Sequence, residues 1–176
     1  MLLTVIRQNH GDVIKFLGDA VLILWPVGKD ASEEVQAAAT TMACLCALQL
    51  LKDCGNYDRG EGENKVELRL HCGVVCGHIH TMCVGEGDRW EYIVSGEPLK
   101  AVGDAESEAK TGECCLSAEA YEKVSEHFEA VLMPKGSYRL TGSLKPSSYI
   151  AIRYLEIQHA KNLYYNDISS SQGWSR

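Results

Sequence analysis

The chain has 176 residues, 45% hydrophobic and 23% charged, an ordinary balance for a soluble globular protein large enough to bury a core. Its net charge of -7 argues against a sequence-independent nucleic-acid binder, which would present a basic face. No apolar run approaches the roughly 20 residues that a membrane span needs, and the apolar start from Met1 to Ile6 is too short and lacks the basic head of a signal peptide. With no export signal, the eight cysteines read as reduced thiols and the chain as cytoplasmic.

Leu2, Val5 and Ile6 have helical spacing and lead straight into a strand. From Asp12 to Trp25, two apolar runs flank Gly18-Asp19. Glycine at the first central position suits a tight primed turn, so this reads as a hairpin with Asp19 at its tip and Lys15 four residues before it. A carboxylate on a rigid turn is the kind of ligand a hard divalent cation takes, although Gly-Asp is also ordinary turn chemistry. Pro26-Val27-Gly28 closes the hairpin. Asp30, with Glu33 as its capping-box partner, is expected to start a long helix over residues 31–54. Its apolar face comprises Val35, Ala38, Ala39, Met42, Leu45, Cys46 and Leu50, with Lys52 and Gly55 suited to the end. The Met and Cys residues on it read as core fillers.

Residues 56–64 are polar and read as a solvated loop. Val66, Leu68, Leu70, Cys72 and Val74 then alternate with Glu67, Arg69 and His71, the pattern of one half-buried strand. Gly73 and Gly77 suggest a bend into a strand over 78–84. His71, Cys72, Cys76, His78, His80 and Cys83 invite a zinc reading. There is no Cys-x-x-Cys knuckle, however, and alternation sends His71 and Cys72 to opposite faces, which favours packed thiols and outward imidazoles. Gly85 to Glu91 is a turn-rich excursion carrying Trp90. Leu99, Val102, Ala105 and Ala109 keep helical spacing up to Gly112. Residues 113–116 read as a short strand that buries Cys114-Cys115, and Ser117 caps a helix carrying Tyr121, Val124 and Phe128. Strands are expected over 130–133, 138–140 and 149–154. Residues 158–176 read as a polar tail or linker, leaving 1–157 as the folded unit.

Lys-Phe-Leu-Gly-Asp-Ala-Val-Leu-Ile-Leu-Trp, from Lys15 to Trp25, resembles the hairpin of class III nucleotide cyclases, whose pattern is Lys-Phe-x-Gly-Asp-Ala-Leu. Its trailing Leu-Trp is most similar to the first cyclase domain of soluble adenylyl cyclases. Gly77-His78-Ile79, Val84-Gly85-Glu86 and the run from Tyr92 to Pro98 resemble the later strands and dimer arm of that family. The resemblance implies a two-layer α+β, ferredoxin-like fold, with an antiparallel sheet covered by helices on one face. Such domains pair through the arm, for which Trp90 is a candidate anchor. It also implies conversion of ATP to cyclic AMP and pyrophosphate, with two Mg²⁺ or Mn²⁺ ions about 4 Å apart holding the attacking ribose oxygen and the triphosphate. Asp19 matches one metal ligand. The family's preceding strand, helix and further metal-binding aspartate have no counterpart here, so an N-terminally truncated domain or fragment is expected.

The family's Gly-x-x-Val-Asn-x-Ala-x-Arg supplies an Asn that orients the ribose and an Arg that stabilises phosphate charge. The matching run is Gly96 to Asp104, with Lys100 at the Asn position and Asp104 at the Arg position. A carboxylate there repels a polyphosphate. The chain therefore resembles the metal-giving half of a pseudo-symmetric pair, inactive alone, whose partner domain holds the residues that distinguish ATP from GTP. In soluble adenylyl cyclases the second, degenerate site binds bicarbonate through a Lys matching Lys15, a Val matching Val94 and an Arg whose position is Gly103 here. This gives an alternative: a non-catalytic pseudo-cyclase domain that dimerises or binds a small anion near Lys15 and Lys100.

Overall fold

The apolar spacing of the first residues produces the short helix α1 (Leu2–Gln8), which buries Val5 and Ile6. The computed structural model describes residues 1–59 and 66–143. Strands β1 (Asp12–Leu17) and β2 (Ala20–Leu24) pair antiparallel, with Leu17 opposite Ala20, so Gly18 and Asp19 form the whole turn. Gly18 has φ +66° while Asp19 keeps a negative φ, the type II′ pattern that demands glycine first. At the hairpin's base, Val13 and Ile23 pack against Val5 and Ile6, while Phe16 and Leu17 near the tip are exposed. Trp25 anchors that base, donating its indole N–H to the Asn9 carbonyl at 2.7 Å and packing against the core.

Helix α2 (Glu33–Cys54) is capped by Ser32, whose Oγ accepts the Val35 N–H at 3.4 Å. Asp30, the expected cap, lies in the preceding turn instead. The helix is buried on more than one stripe. Ala43, Cys44 and Ala47 face the main sheet cluster, while Cys46 and Leu50 face α1. Its small Ala, Cys and Thr side chains permit that close approach on several sides. By length and composition α2 is apolar enough to cross a membrane, which corrects the reading that no stretch qualifies; half of that stretch is buried within the protein.

Residues 56–59, expected in a loop, form strand β3 (Asn56–Arg59), paired antiparallel with β4 (Val66–Arg69). The single strand expected from Val66 to Val74 is therefore broken. After Leu70 and His71 the chain resumes as β5 (Cys72–Val74), which joins a different sheet. Backbone bonds enforce the diversion: Leu70 N–H donates to Gly55 and Gly112 N–H donates to Leu70. Long strands β6 (His80–Glu86) and β7 (Arg89–Ser95) form the arm. Helix α3 (Glu97–Glu108), strand β8 (Cys114–Leu116) and helix α4 (Ala118–Val124) follow, then strands β9 (Phe128–Leu132) and β10 (Tyr138–Ser143). Ser117 caps α4 as expected, accepting the Ala120 N–H at 3.2 Å. Phe128 belongs to β9 rather than to the helix and is fully buried.

The main sheet has the order β5-β8-β10-β9, antiparallel except for the parallel pair β5–β8, with α3 in the crossover. Helices α2 and α4 cover one face, where Ala43, Cys44, Ala120 and Val124 meet Val74, Leu116, Phe128 and Leu140. This is the expected α+β arrangement. In addition, α3 lies against the other face over β5, because Gly73 offers no side chain: a Cβ there would sit 2.8 Å from the Val102 carbonyl. The expected strand over 149–154 and the polar tail over 158–176 lie outside the described residues.

Candidate functional site

Asp19 projects into solvent at the turn of the β1–β2 hairpin. Among the described residues, no group of three or more His, Cys, Asp or Glu side chains is disposed to hold a metal ion. One exposed carboxylate fits a single ligand of a shared divalent-cation site and does not make a complete one. The zinc constellation is dispersed in the same way: His71 pairs with the Glu106 carboxylate of α3, Cys72 packs into the core, and Cys83 sits in the arm. Burial pushes the Cys46 thiol up to about 12 and Cys72 to about 11, and raises Cys44 and Cys114 as well. All eight cysteines are free.

Lys15 reaches from the hairpin to the arm, its Nζ lying 2.6 Å from Glu91 Oε1, with both side chains more than half exposed. The hydrogen bond and charge of Lys15 hold the Glu91 carboxyl below its ordinary value. Beside this pair lies a cleft of about 520 Å³, lined by Arg7 of α1, Val13, Phe16 and Leu24 of the hairpin, and Tyr92 of the arm. Val94 pairs with Thr81 and, by strand alternation, faces away from Glu91. The structure thus gives Lys15 a carboxylate partner that the sequence reading missed. Lys100 is exposed on α3. Farther along that helix Gly103 faces open space, and Asp104 is exposed with its carbonyl accepting the Ser107 hydroxyl at 2.8 Å.

Trp90 is 52% exposed, and its indole N–H is tied back to the Gly87 carbonyl of its own turn at 2.8 Å. The opposite face of the arm carries Met82 directly across from Ile93, with Val84 beside them, all substantially exposed. The expected strand over 78–84 already contains Met82 and Val84, and its alternation sets them on one face; the observed strand begins and ends two residues later.

These elements, in this order, are matched from end to end by a known family. Residues 2–153 match the family model for the adenylate and guanylate cyclase catalytic domain, so the chain belongs to that family. Among curated proteins, it is 28% identical over 112 residues to adenylate cyclase type 10 of Oryctolagus cuniculus and of Mus musculus, and 27% identical to that of Homo sapiens. Each alignment covers 64% of this chain and 6% of the relative, so the chain spans a small part of those proteins. Among solved structures, a dimeric guanylyl cyclase domain of the RhoGC fusion protein from the aquatic fungus Blastocladiella emersonii matches with TM-score 0.63 at 15% identity, covering 81% of this chain and 78% of that one. The guanylate cyclase domain of RhGC from Catenaria anguillulae in complex with GTP matches with TM-score 0.61 at 18% identity and the same coverage. The adenylyl cyclase CyaB from P. aeruginosa matches with TM-score 0.55 at 17% identity, covering 82% and 78%. The fold is that of a cyclase catalytic domain.

Proposed function

We propose that the chain acts in cyclic-nucleotide biosynthesis and intracellular signalling as the metal-giving half of a paired adenylyl cyclase, in the cytoplasm. The observation that carries this reading is Asp19, held by a glycine-first turn so that its carboxylate meets solvent beyond the buried base of the hairpin. In the reaction, the ribose 3′-oxygen of ATP bonds to the α-phosphorus, the bond to the β-phosphate oxygen breaks, pyrophosphate leaves and the hydroxyl proton is lost. Two Mg²⁺ or Mn²⁺ ions supply charge stabilisation when bound. Asp19 would contribute one carboxylate to them, as a single ligand of a site shared with other groups. The choice of ATP is supported by the curated relatives, which are adenylate cyclases.

Lys100 and Asp104 stand where the family pattern has its ribose-orienting Asn and phosphate-stabilising Arg, so a second cyclase domain supplies those groups and this chain is inactive alone. The test is assembly: sedimentation velocity of the chain mixed with a cyclase domain bearing the Asn and Arg. A one-to-one complex supports the reading, and two independent species argue against it. A second reading, a non-catalytic pairing domain, is favoured by one observation. Asp104 is exposed on α3 beside the open surface at Gly103, where a polyphosphate would meet a like charge. A small anion near Lys15 or Lys100 would then be its ligand; at Lys15 it would have to displace Glu91, and Val94, on the other face of the arm, would not line that place.

A further inference from the structure

The apolar packing of the hairpin that carries Asp19 lies at its base. Val13, Ile23 and Trp25 pack into the body at its base, whereas Phe16 is 62% and Leu17 54% exposed near the tip. A two-stranded hairpin without packing is only marginally ordered in water. The register of β1 against β2 shifts between Val13 and Lys15, so one extra residue bulges the strand where the packed base ends. Bulges bend a strand and re-aim the side chains beyond them. Lys15 is the first paired residue past the bulge, and its ammonium meets Glu91 on the arm, 76 residues further along the chain. The neighbouring Tyr92 shares the wall of the cleft with Phe16.

We infer that Lys15 and Glu91 form a latch between hairpin and arm that fixes the direction in which Asp19 is presented, making both of them positioning residues. The structural part stands on this geometry alone; its consequence for cation binding rests on the reading of Asp19 as a metal ligand. Exposed ion pairs add little to global stability, so breaking the latch leaves the unfolding midpoint nearly unchanged while freeing the hairpin locally.

Hydrogen exchange by mass spectrometry on the full chain tests this directly. Glu91→Gln should speed amide exchange over residues 15–24 by about twofold to fivefold, the range an exposed pair's coupling permits. The double exchange Lys15→Glu with Glu91→Lys should restore protection. In parallel, cyclic AMP formation with a partner cyclase domain should require more Mn²⁺ for half-maximal rate in Glu91→Gln, at unchanged KM for ATP. Unaltered exchange in Glu91→Gln overturns the latch. Faster exchange with an unaltered Mn²⁺ requirement overturns the positioning role. Faster exchange and its rescue, with no cyclic AMP from any mixture, uphold the latch and refute the cyclase reading instead.

Discussion

Glycine to alanine at two positions along the α3 packing should act with opposite signs. At Gly73, an added Cβ would lie 2.8 Å from the Val102 carbonyl, 3.0 Å from the Glu106 nitrogen and 3.1 Å from the Glu106 Cβ. Two of these three are backbone atoms of α3, which no rotamer change can withdraw. Ordinary carbon contacts start near 3.5 Å, so the helix must retreat from β5 by about half an ångström or more. Overpacking of this kind costs about 1–3 kcal/mol, offset in part by the ~0.4–1 kcal/mol that alanine gains through a less flexible unfolded chain. At Gly103, inside α3, nothing lies within 4 Å of the added Cβ. There the helix-interior penalty of glycine is simply removed, a gain of ~0.5–1 kcal/mol. With each kcal/mol worth about 2–4 °C at this chain length, Gly73→Ala should melt several degrees below the parent and Gly103→Ala a few degrees above it. Urea unfolding should show the midpoints moving apart at an unchanged m-value. A Gly73→Ala protein as stable as the parent would refute the close seating of α3 on β5. A destabilised Gly103→Ala protein would refute the open surface.

Other consequences are simpler to read. Ser32→Ala should destabilise α2 by roughly 0.5–1 kcal/mol, and Asp30→Ala should stay within about 0.5 kcal/mol of the parent, because only Ser32 accepts a helix N–H; the reverse order in chemical denaturation would reinstate Asp30 as the cap. Disulfide-exchange titration of the native protein at pH 8 should react with the less buried thiols first and leave Cys44, Cys46, Cys72, Cys114 and Cys115 slow, with all eight reacting in denaturant. Equal rates for all eight in the native protein would contradict the burial described. Stability should also fall in acid. Glu113 is held below its ordinary value by the Lys110 N–H and by Arg139 at 2.7 Å. At Glu108, burial raises the carboxyl, but the Ser137 hydroxyl and the Lys135 and Ser137 amides outweigh it and lower it. Both carboxylates bind protons more weakly folded than unfolded, so their contribution is complete above the ordinary glutamate value of 4.5 and is lost as pH falls through the lower folded values. Urea midpoints between pH 3 and 6 should slope upward with pH, and Glu113→Gln should flatten that slope.

What could be read from the sequence was local. Gly18-Asp19 between two apolar runs fixes its own turn, Ser117 caps its own helix, and Leu2, Val5 and Ile6 bury themselves on one stripe. Features set by distant partners were not legible. Asn56 to Arg59 has no strand-like composition and is extended because β4 lies beside it. The alternation from Val66 to Val74 looks continuous, yet the chain breaks at Leu70 because β4 and β5 serve different sheets. The parallel register of Cys72 with Cys114 depends on a crossover of some forty residues. In the candidate site, the exposed place of Asp19 is legible in the turn that displays it. Glu91 was missed because a single exposed carboxylate carries no signal until the fold brings Lys15 to it.

The most direct measurement of the central claim is cyclic AMP formation from ATP with Mn²⁺, using this chain alone, the chain mixed with a cyclase domain that supplies the Asn and Arg, and the same mixture with Asp19→Ala. The expected result is no product from the chain alone, product from the mixture above that of the partner domain by itself, and loss of that increment in Asp19→Ala. A mixture no more active than the partner alone, or an increment indifferent to Asp19→Ala, would contradict the assignment of this chain as the metal-giving half of a cyclase.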